Sequence, residues 1–211
     1  MKKTVILNAS PRKNRNTAQI LHAAMEGAQS VGAQVQYIDL YDLNFTGCRS
    51  CLVCKRKGAE RCRCYLKDGL TPVIAAVFAA DALLIGTPVY FGRPSSQYFA
   101  FLERLRFPAL SYDDYSNYFT GHVNVGLFAT MNATKEMYEK MYQSAYEDYA
   151  NEFYFLNGEI SLYPVCNTLQ VSDYAQFSMG GFNEDAKKQA QEECFPADCK
   201  NAYAIGAKLS R

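Results

Sequence analysis

Lys3-Thr4-Val5-Ile6-Leu7-Asn8-Ala9-Ser10-Pro11-Arg12-Lys13-Asn14-Arg15-Asn16-Thr17 opens the chain as an apolar run that empties into a polar, proline-containing loop and then a helical pattern from about Ala18. Lys3 to Leu7 reads as a strand buried on both faces. Beyond the loop, Ile20, Leu21, Ala24, Met25 and Ala28 recur at helical spacing, and Gly32 ends the helix. Gln34 to Leu40 is a second strand, with imperfect alternation. A strand that hands over to a helix through such a loop is where α/β folds hold phosphate, because exposed N–H groups and the helix dipole both favour an anion.

The same unit recurs along the chain. Leu70 to Ala80 is a helix with Pro72 in its first turn, and Asp81 to Pro88 is a third strand. Ser95 or Ser96 caps the next helix, whose Tyr98, Phe99, Leu102 and Leu105 form an apolar face. His122 to Thr130 is a fourth strand, and a long helix is expected from Lys135 to about Phe155. Gly158 to Cys166 and Thr168 to Val171 supply a fifth strand or strand pair, and a looser polar stretch from Asn183 precedes a closing helix from about Asp198 to Leu209. Strands alternating with helices predict a parallel sheet covered on both faces.

Composition bounds the function. The 211 residues, 49% hydrophobic and 20% charged, suit one domain, residues 1–211. Lys plus Arg number 22 against 21 Asp plus Glu, which gives no charge bias toward nucleic acid or acidic lipid. The apolar run at the amino terminus is too short for a signal peptide, and Val73 to Gly86 is interrupted by Asp81. A cytoplasmic protein is expected, with no membrane partner.

Ligands of an open parallel sheet sit beyond the carboxyl ends of its strands. The loop after the first strand offers Ser10, Arg12, Arg15, Asn16 and Thr17 with no acidic residue from Asn8 to Gln19, which suits a phosphate monoester. By composition alone, a solvated turn fits about as well. The loop lacks the glycine pattern of a dinucleotide or Walker motif, so a mononucleotide fits better than NAD or ATP. The loop after the third strand, Thr87 to Gln97, has two prolines, Gly92 and the pair Tyr90-Phe91, able to lie along a flat ring or simply to fill a core. The loop after the fourth, Thr130 to Ala133, supplies amides and a hydroxyl, or merely a helix cap.

Ser10-Pro11-Arg12 with Asn16-Thr17, then Thr87-Pro88-Val89-Tyr90-Phe91-Gly92, then Thr130-Met131-Asn132, resembles the NAD(P)H-dependent FMN reductase and iron-sulfur flavoprotein group of flavodoxin-like proteins. The resemblance runs over nearly the whole chain, including Phe195-Pro196-Ala197-Asp198-Cys199. It implies a doubly wound five-stranded parallel sheet in the order 2-1-3-4-5 with helices on both faces. It implies non-covalent FMN with the phosphate on Ser10, Arg12, Asn16 and Thr17. The ring then lies against Pro88, Val89, Tyr90, Phe91 and Gly92, with Thr130, Met131 and Asn132 on its other side. Arg15 stands where the family commonly has Ser, and Arg93-Pro94 where it has small residues. Family members commonly form dimers or tetramers; Phe107 to Phe119 and the stripe Tyr138, Tyr142, Tyr146 and Tyr149 are candidate contact surfaces or, in a monomer, core.

Five of the eight cysteines fall between Cys48 and Cys64, inside an aperiodic insertion at about residues 44–69. Cys48, Cys51 and Cys54 step by three, and Cys62 or Cys64 follows. Such a set can wrap a [4Fe–4S] cluster, as the resemblance implies, or bind zinc, or remain as free or redox-active thiols. The basic residues around it would offset an anionic cluster and would equally lower thiol pKa values.

The function these readings imply is electron passage from NAD(P)H through FMN to a quinone, flavin, nitro or azo compound, with no catalytic side chain required. The alternatives are an iron-sulfur electron carrier between protein partners and a cofactor-free binding module.

Overall fold

Val5 and Leu7 point to one face of the first strand and Ile6 to the other, and each face meets its own core. The computed structural model describes residues 1–211. Strand β1 (Lys3–Asn8) lies inside a parallel five-stranded sheet, between β2 (Gln34–Asp39) and the central β3 (Ala82–Pro88), with β4 (Val123–Thr130) and β5 (Asn157–Val165) beyond, in the order β2-β1-β3-β4-β5. This is the doubly wound order expected. Register is fixed by burial: Val5 pairs with Gln36 and Leu83, and Leu83 with Val125.

Seven helices cover the sheet: α1 (Asn16–Ser30), α2 (Leu70–Phe78), α3 (Ser96–Arg106), α4 (Lys135–Met141), α5 (Gln143–Asn151), α6 (Glu184–Glu193) and α7 (Phe195–Leu209). Val5, Leu7, Leu83, Ile85, Val125 and Leu127 pack under Val73, Ile74 and Val77 of α2 and Tyr98, Phe101 and Leu105 of α3. Ile6, Leu84 and Phe128 face Ile20, Leu21 and Ala24 of α1 and Ala202 and Leu209 of α7. Alternation along the buried strands therefore feeds two cores, which is why they read as unbroken apolar runs. Helices α1 and α7 cross in close contact: a Cβ on Gly27 would lie 2.0 Å from the Tyr203 carbonyl oxygen, and one on Gly206 2.0 Å from that of Ala24.

Two expectations need correction, and one open alternative is decided in part. The helix expected from Lys135 to Phe155 breaks at Tyr142, which takes φ −126° and ψ −20° while still donating to the Tyr138 carbonyl at 2.9 Å. The bend sets the Tyr142 ring against Gly92, and no proline or glycine marks it. Of the tyrosine stripe, read as contact surface or core, Tyr138 and Tyr146 are buried in a third small core with Ala129 and Met131, while Tyr142 and Tyr149 are half-buried against it. The polar stretch from Asn183 is largely the helix α6, capped by the Asn183 side chain accepting from the Ala186 N–H at 3.0 Å.

The cysteine-rich insertion is docked on α3. Arg104, wholly buried, donates to the Cys64 sulfur at 3.0 Å, to the Thr46 carbonyl at 3.0 Å, to Thr71 Oγ1 at 3.1 Å and to both Asp68 oxygens at 2.7 and 3.0 Å. No helix is long and apolar enough to cross a membrane.

Candidate flavin site at the strand ends

The loop after β1 is held open by its own side chains. Asn8 donates to Asp39 at 2.8 Å and accepts from the Ser10 N–H at 3.0 Å, and Ser10 Oγ accepts from the Arg12 N–H at 3.1 Å. Helix α1 begins with Arg15 at its N-cap, extended, with no side-chain cap and no acidic residue in the first turn. Its leading N–H groups and positive dipole end are left for an external acceptor.

Hydrogen bonds join this loop to three others. Thr17 and Thr130 share a hydroxyl–hydroxyl bond of 2.6 Å. The Val89 N–H donates to the Thr130 carbonyl at 2.9 Å, and Ser95 ties Thr87 Oγ1 to the Ala9 carbonyl through bonds of 3.0 and 2.6 Å. A fourth loop follows β5. Thr168 donates its N–H and hydroxyl to the Met131 carbonyl at 3.0 and 3.1 Å, while Arg12 and Asn16 donate to the carbonyls of Gln170 (2.6 Å) and Leu169 (3.0 Å).

The resulting cleft, about 110 Å³, is lined by Ser10, Arg12, Asn16, Thr17, Pro88, Val89, Tyr90, Thr130, Met131 and Asn132 of the predicted set. Arg15, Thr168 and Gln170 also line it. Phe91 and Gly92 do not. They occupy the centre of a tight turn closed by reciprocal Tyr90–Arg93 backbone bonds of 2.8 and 3.0 Å, with φ of 51° and 78°, and the Phe91 ring is fully exposed. Sequence reading missed the fourth loop entirely: residues 168–171 form no strand and are shaped instead by their bonds to loops one and three. A larger cavity of about 750 Å³ lies along β5 beside α4 and α6, but Glu139, Glu147 and Asp198 line it with Lys135 as their lone cation, a poor match to phosphate.

The donor set fits FMN in kind. The uncapped helix end and the guanidiniums suit its phosphate. Asn132 Oδ1 is buried without a hydrogen-bond partner, an acceptor that a ring imide N–H would satisfy. Room for the phosphate comes from Arg12 and Asn16, whose side chains span the cleft to reach the fourth loop and can exchange a carbonyl for the anion.

Of the cysteines, Cys48, Cys51 and Cys54 line one small cavity. Cys64, and not Cys62, shares that cavity with the other three. The cavity holds about 20 Å³, and no three thiols gather tightly enough to hold a metal ion. As shaped, it fits neither zinc nor a cluster. At Cys54 and Cys62, burial pushes the thiol up and outweighs the nearby Lys55.

Comparison with known proteins agrees with this architecture. The chain is similar to an iron-sulfur flavoprotein of Methanocaldococcus jannaschii, 29% identical over 104 residues, covering 49% of this chain and 52% of the relative. An iron-sulfur flavoprotein of Archaeoglobus fulgidus is 34% identical over 90 residues, 43% of this chain and 42% of the relative. The chain thus spans about half the length of these relatives. Among solved structures, NAD(P)H:quinone oxidoreductase from Methanothermobacter marburgensis superposes with a TM-score of 0.68 at 14% identity, covering 100% of this chain and 98% of that one. An azoreductase from Bacillus anthracis gives 0.63 at 15%, covering 99% and 100%. The sequence profile of NADPH-dependent FMN reductase matches residues 2–142, which hold three of the four site loops, and the chain belongs to that family.

Proposed function

We propose that the four-loop cleft binds FMN and that the protein passes electrons from NAD(P)H to a small acceptor such as a quinone, a flavin, or a nitro or azo compound. The observation that carries this reading is the uncapped, acid-free start of α1, with Asn16 in its first turn and Ser10 and Arg12 on the loop before it, in a cleft whose other walls are Pro88 to Tyr90 and Thr130 to Asn132. When bound, FMN supplies the hydride and electron chemistry.

The chain's own residues bind and orient. Ser10, Arg12, Asn16 and Thr17 hold the phosphate, Asn132 Oδ1 accepts from the ring, and Pro88 to Tyr90 exclude water along the ring edge. The Tyr90 phenol, pushed up by burial, stays protonated at neutral pH and is a hydrogen-bond donor throughout turnover. The exposed Tyr112 and Tyr115 of the loop after α3 are the surface we assign to self-association, as a homodimer or homotetramer.

The test is flavin uptake: purified protein mixed with FMN should quench its fluorescence and turn yellow, and NAD(P)H should then bleach the bound flavin. Protein that stays colourless and leaves FMN fluorescence unchanged overturns the reading.

A second reading, an electron carrier holding iron and sulfide on the insertion, is favoured by the convergence of Cys48, Cys51, Cys54 and Cys64 and opposed by the size of the cavity they line. Iron and sulfide analysis of anaerobically purified protein decides. About four irons per chain, lost in Cys64→Ser and kept in Cys62→Ser, would establish it, and a flavin-only spectrum without iron would remove it.

A further inference from the structure

Lys187 is a lysine buried to 5% exposure on α6, beyond the stretch matched by the family profile. Its ammonium donates to the Asn132 carbonyl, directly behind the third loop, and to Asn167 Oδ1 at 2.6 Å. No carboxylate lies within ion-pair distance of it: Glu184 on its own helix is engaged with Lys188 at 2.7 Å. The two oxygens that receive it are neutral. Buried charges are ordinarily paired, because desolvating an ammonium costs several kcal/mol that neutral acceptors only partly offset. Burial accordingly pulls this lysine down to about 8. The same Asn132 carries the buried, unpartnered Oδ1 that faces no protein donor. A cation without a counter-ion and an acceptor without a donor therefore sit on opposite ends of one loop residue, at the wall of the cleft.

We infer that Lys187 is a positioning residue whose missing counter-charge is delivered by the reduced flavin. The inference rests on the FMN reading above. Reduction by hydride transfer adds two electrons and one proton to the ring, leaving it with one more negative charge than before. A buried ammonium behind the loop that holds the ring stabilises that state over the neutral oxidised one, while its bonds to Asn132 and Asn167 fix the loop in both. Lys187 thereby raises the midpoint potential of the bound flavin and favours its acceptance of hydride.

The experiment compares wild type with Lys187→Gln, Lys187→Met and Lys187→Arg, measuring the affinity of each for oxidised FMN and for dithionite-reduced FMN under anaerobic conditions, together with the potential of the bound couple. The glutamine variant keeps a donor for the two oxygens and so preserves the loop if the methionine variant fails to fold. Expected for both charge-neutral variants is about a threefold loss for oxidised FMN and about a thirtyfold loss for reduced FMN. That tenfold difference corresponds to a potential lower by about 30 mV for a two-electron couple. Lys187→Arg should keep the ratio of the two affinities within about twofold of wild type. Equal losses for both redox states, or an unchanged potential, would show Lys187 to be merely structural and overturn the inference while leaving the flavin reading intact. Failure of the wild type to bind FMN overturns both.

Discussion

Thr17 on α1 and Thr130 at the end of β4 share a hydrogen bond of 2.6 Å between buried hydroxyls, joining the start of α1 to the loop after β4. Each hydroxyl is the other's partner across 113 residues of sequence. Replacing one leaves the other desolvated and unpaired, at a cost of about 1–3 kcal/mol. Thr17→Val and Thr130→Val should each lower the urea midpoint, and the double variant should lose less than the sum. Additive losses in that double-mutant cycle would show the bond to be energetically idle.

On the FMN reading, Arg12 should separate phosphate recognition from ring recognition. Arg12→Ala should weaken FMN about 10- to 100-fold, the range expected for a hydrogen bond to a charged group of about 1.5–3 kcal/mol. Riboflavin, which lacks the phosphate, should bind wild type and variant alike. An equal loss for both ligands would move Arg12 from the phosphate to the ring.

Phe91 holds φ at 51° with its ring fully in solvent, so it carries backbone strain without offsetting burial. Phe91→Gly should stabilise the fold by about 1 kcal/mol, a rise of about 2–4 °C in Tm. On the proposed function, an exposed aromatic beside the cleft would be a contact for NAD(P)H or the acceptor, and the same variant should raise KM for one of them. A Tm that falls would show that the ring contributes more than the strain costs.

Asp68 ties the cysteine insertion to α3, and its bidentate hydrogen bonds with Arg104 hold its carboxyl below the usual range. A carboxyl depressed in the folded state stabilises it above the unfolded pKa of about 3.9 and loses that contribution as pH falls through the folded value. The urea midpoint of wild type should therefore exceed that of Asp68→Asn at pH 7 and converge on it in strong acid. Because removing one partner strands a buried guanidinium, the loss at pH 7 should be about 3–5 kcal/mol.

Much of this architecture was legible because the strands that matter are buried on both faces and end in polar residues. Thr4 to Leu7, Leu83 to Ile85 and Val125 to Ala129 announce themselves, and with them the three loops they carry. The fourth loop was not legible. Thr168 to Gln170 continue the pattern of the edge strand β5, and only their bonds to Met131, Asn16 and Arg12 turn them toward the cleft. Helix α6 was hidden by its polarity, since only Lys187 and Ala190 are buried along it. Asn183 followed by Glu184 and Asp185, a cap and an acidic first turn, was the available signal. Cys62 and Cys64 could not be told apart by spacing, since which of them lies beside Cys48, Cys51 and Cys54 depends on how the insertion folds back on α3.

The paired glycines where α1 crosses α7 give the cleft a remote lever. Gly27 lies eleven residues from the start of α1, about 17 Å along its axis. A methyl group there must push the helices apart, since its carbon would sit 2.0 Å from the Tyr203 oxygen. The displacement would reach Asn16 and Thr17 at the far end, tilting the phosphate-facing tip away from Thr130. On the FMN reading, Gly27→Ala, which lies outside the cleft lining, should thus loosen FMN through the tilt of α1 alone, so that the crossing of two helices far from the ligand would govern how the site is aimed.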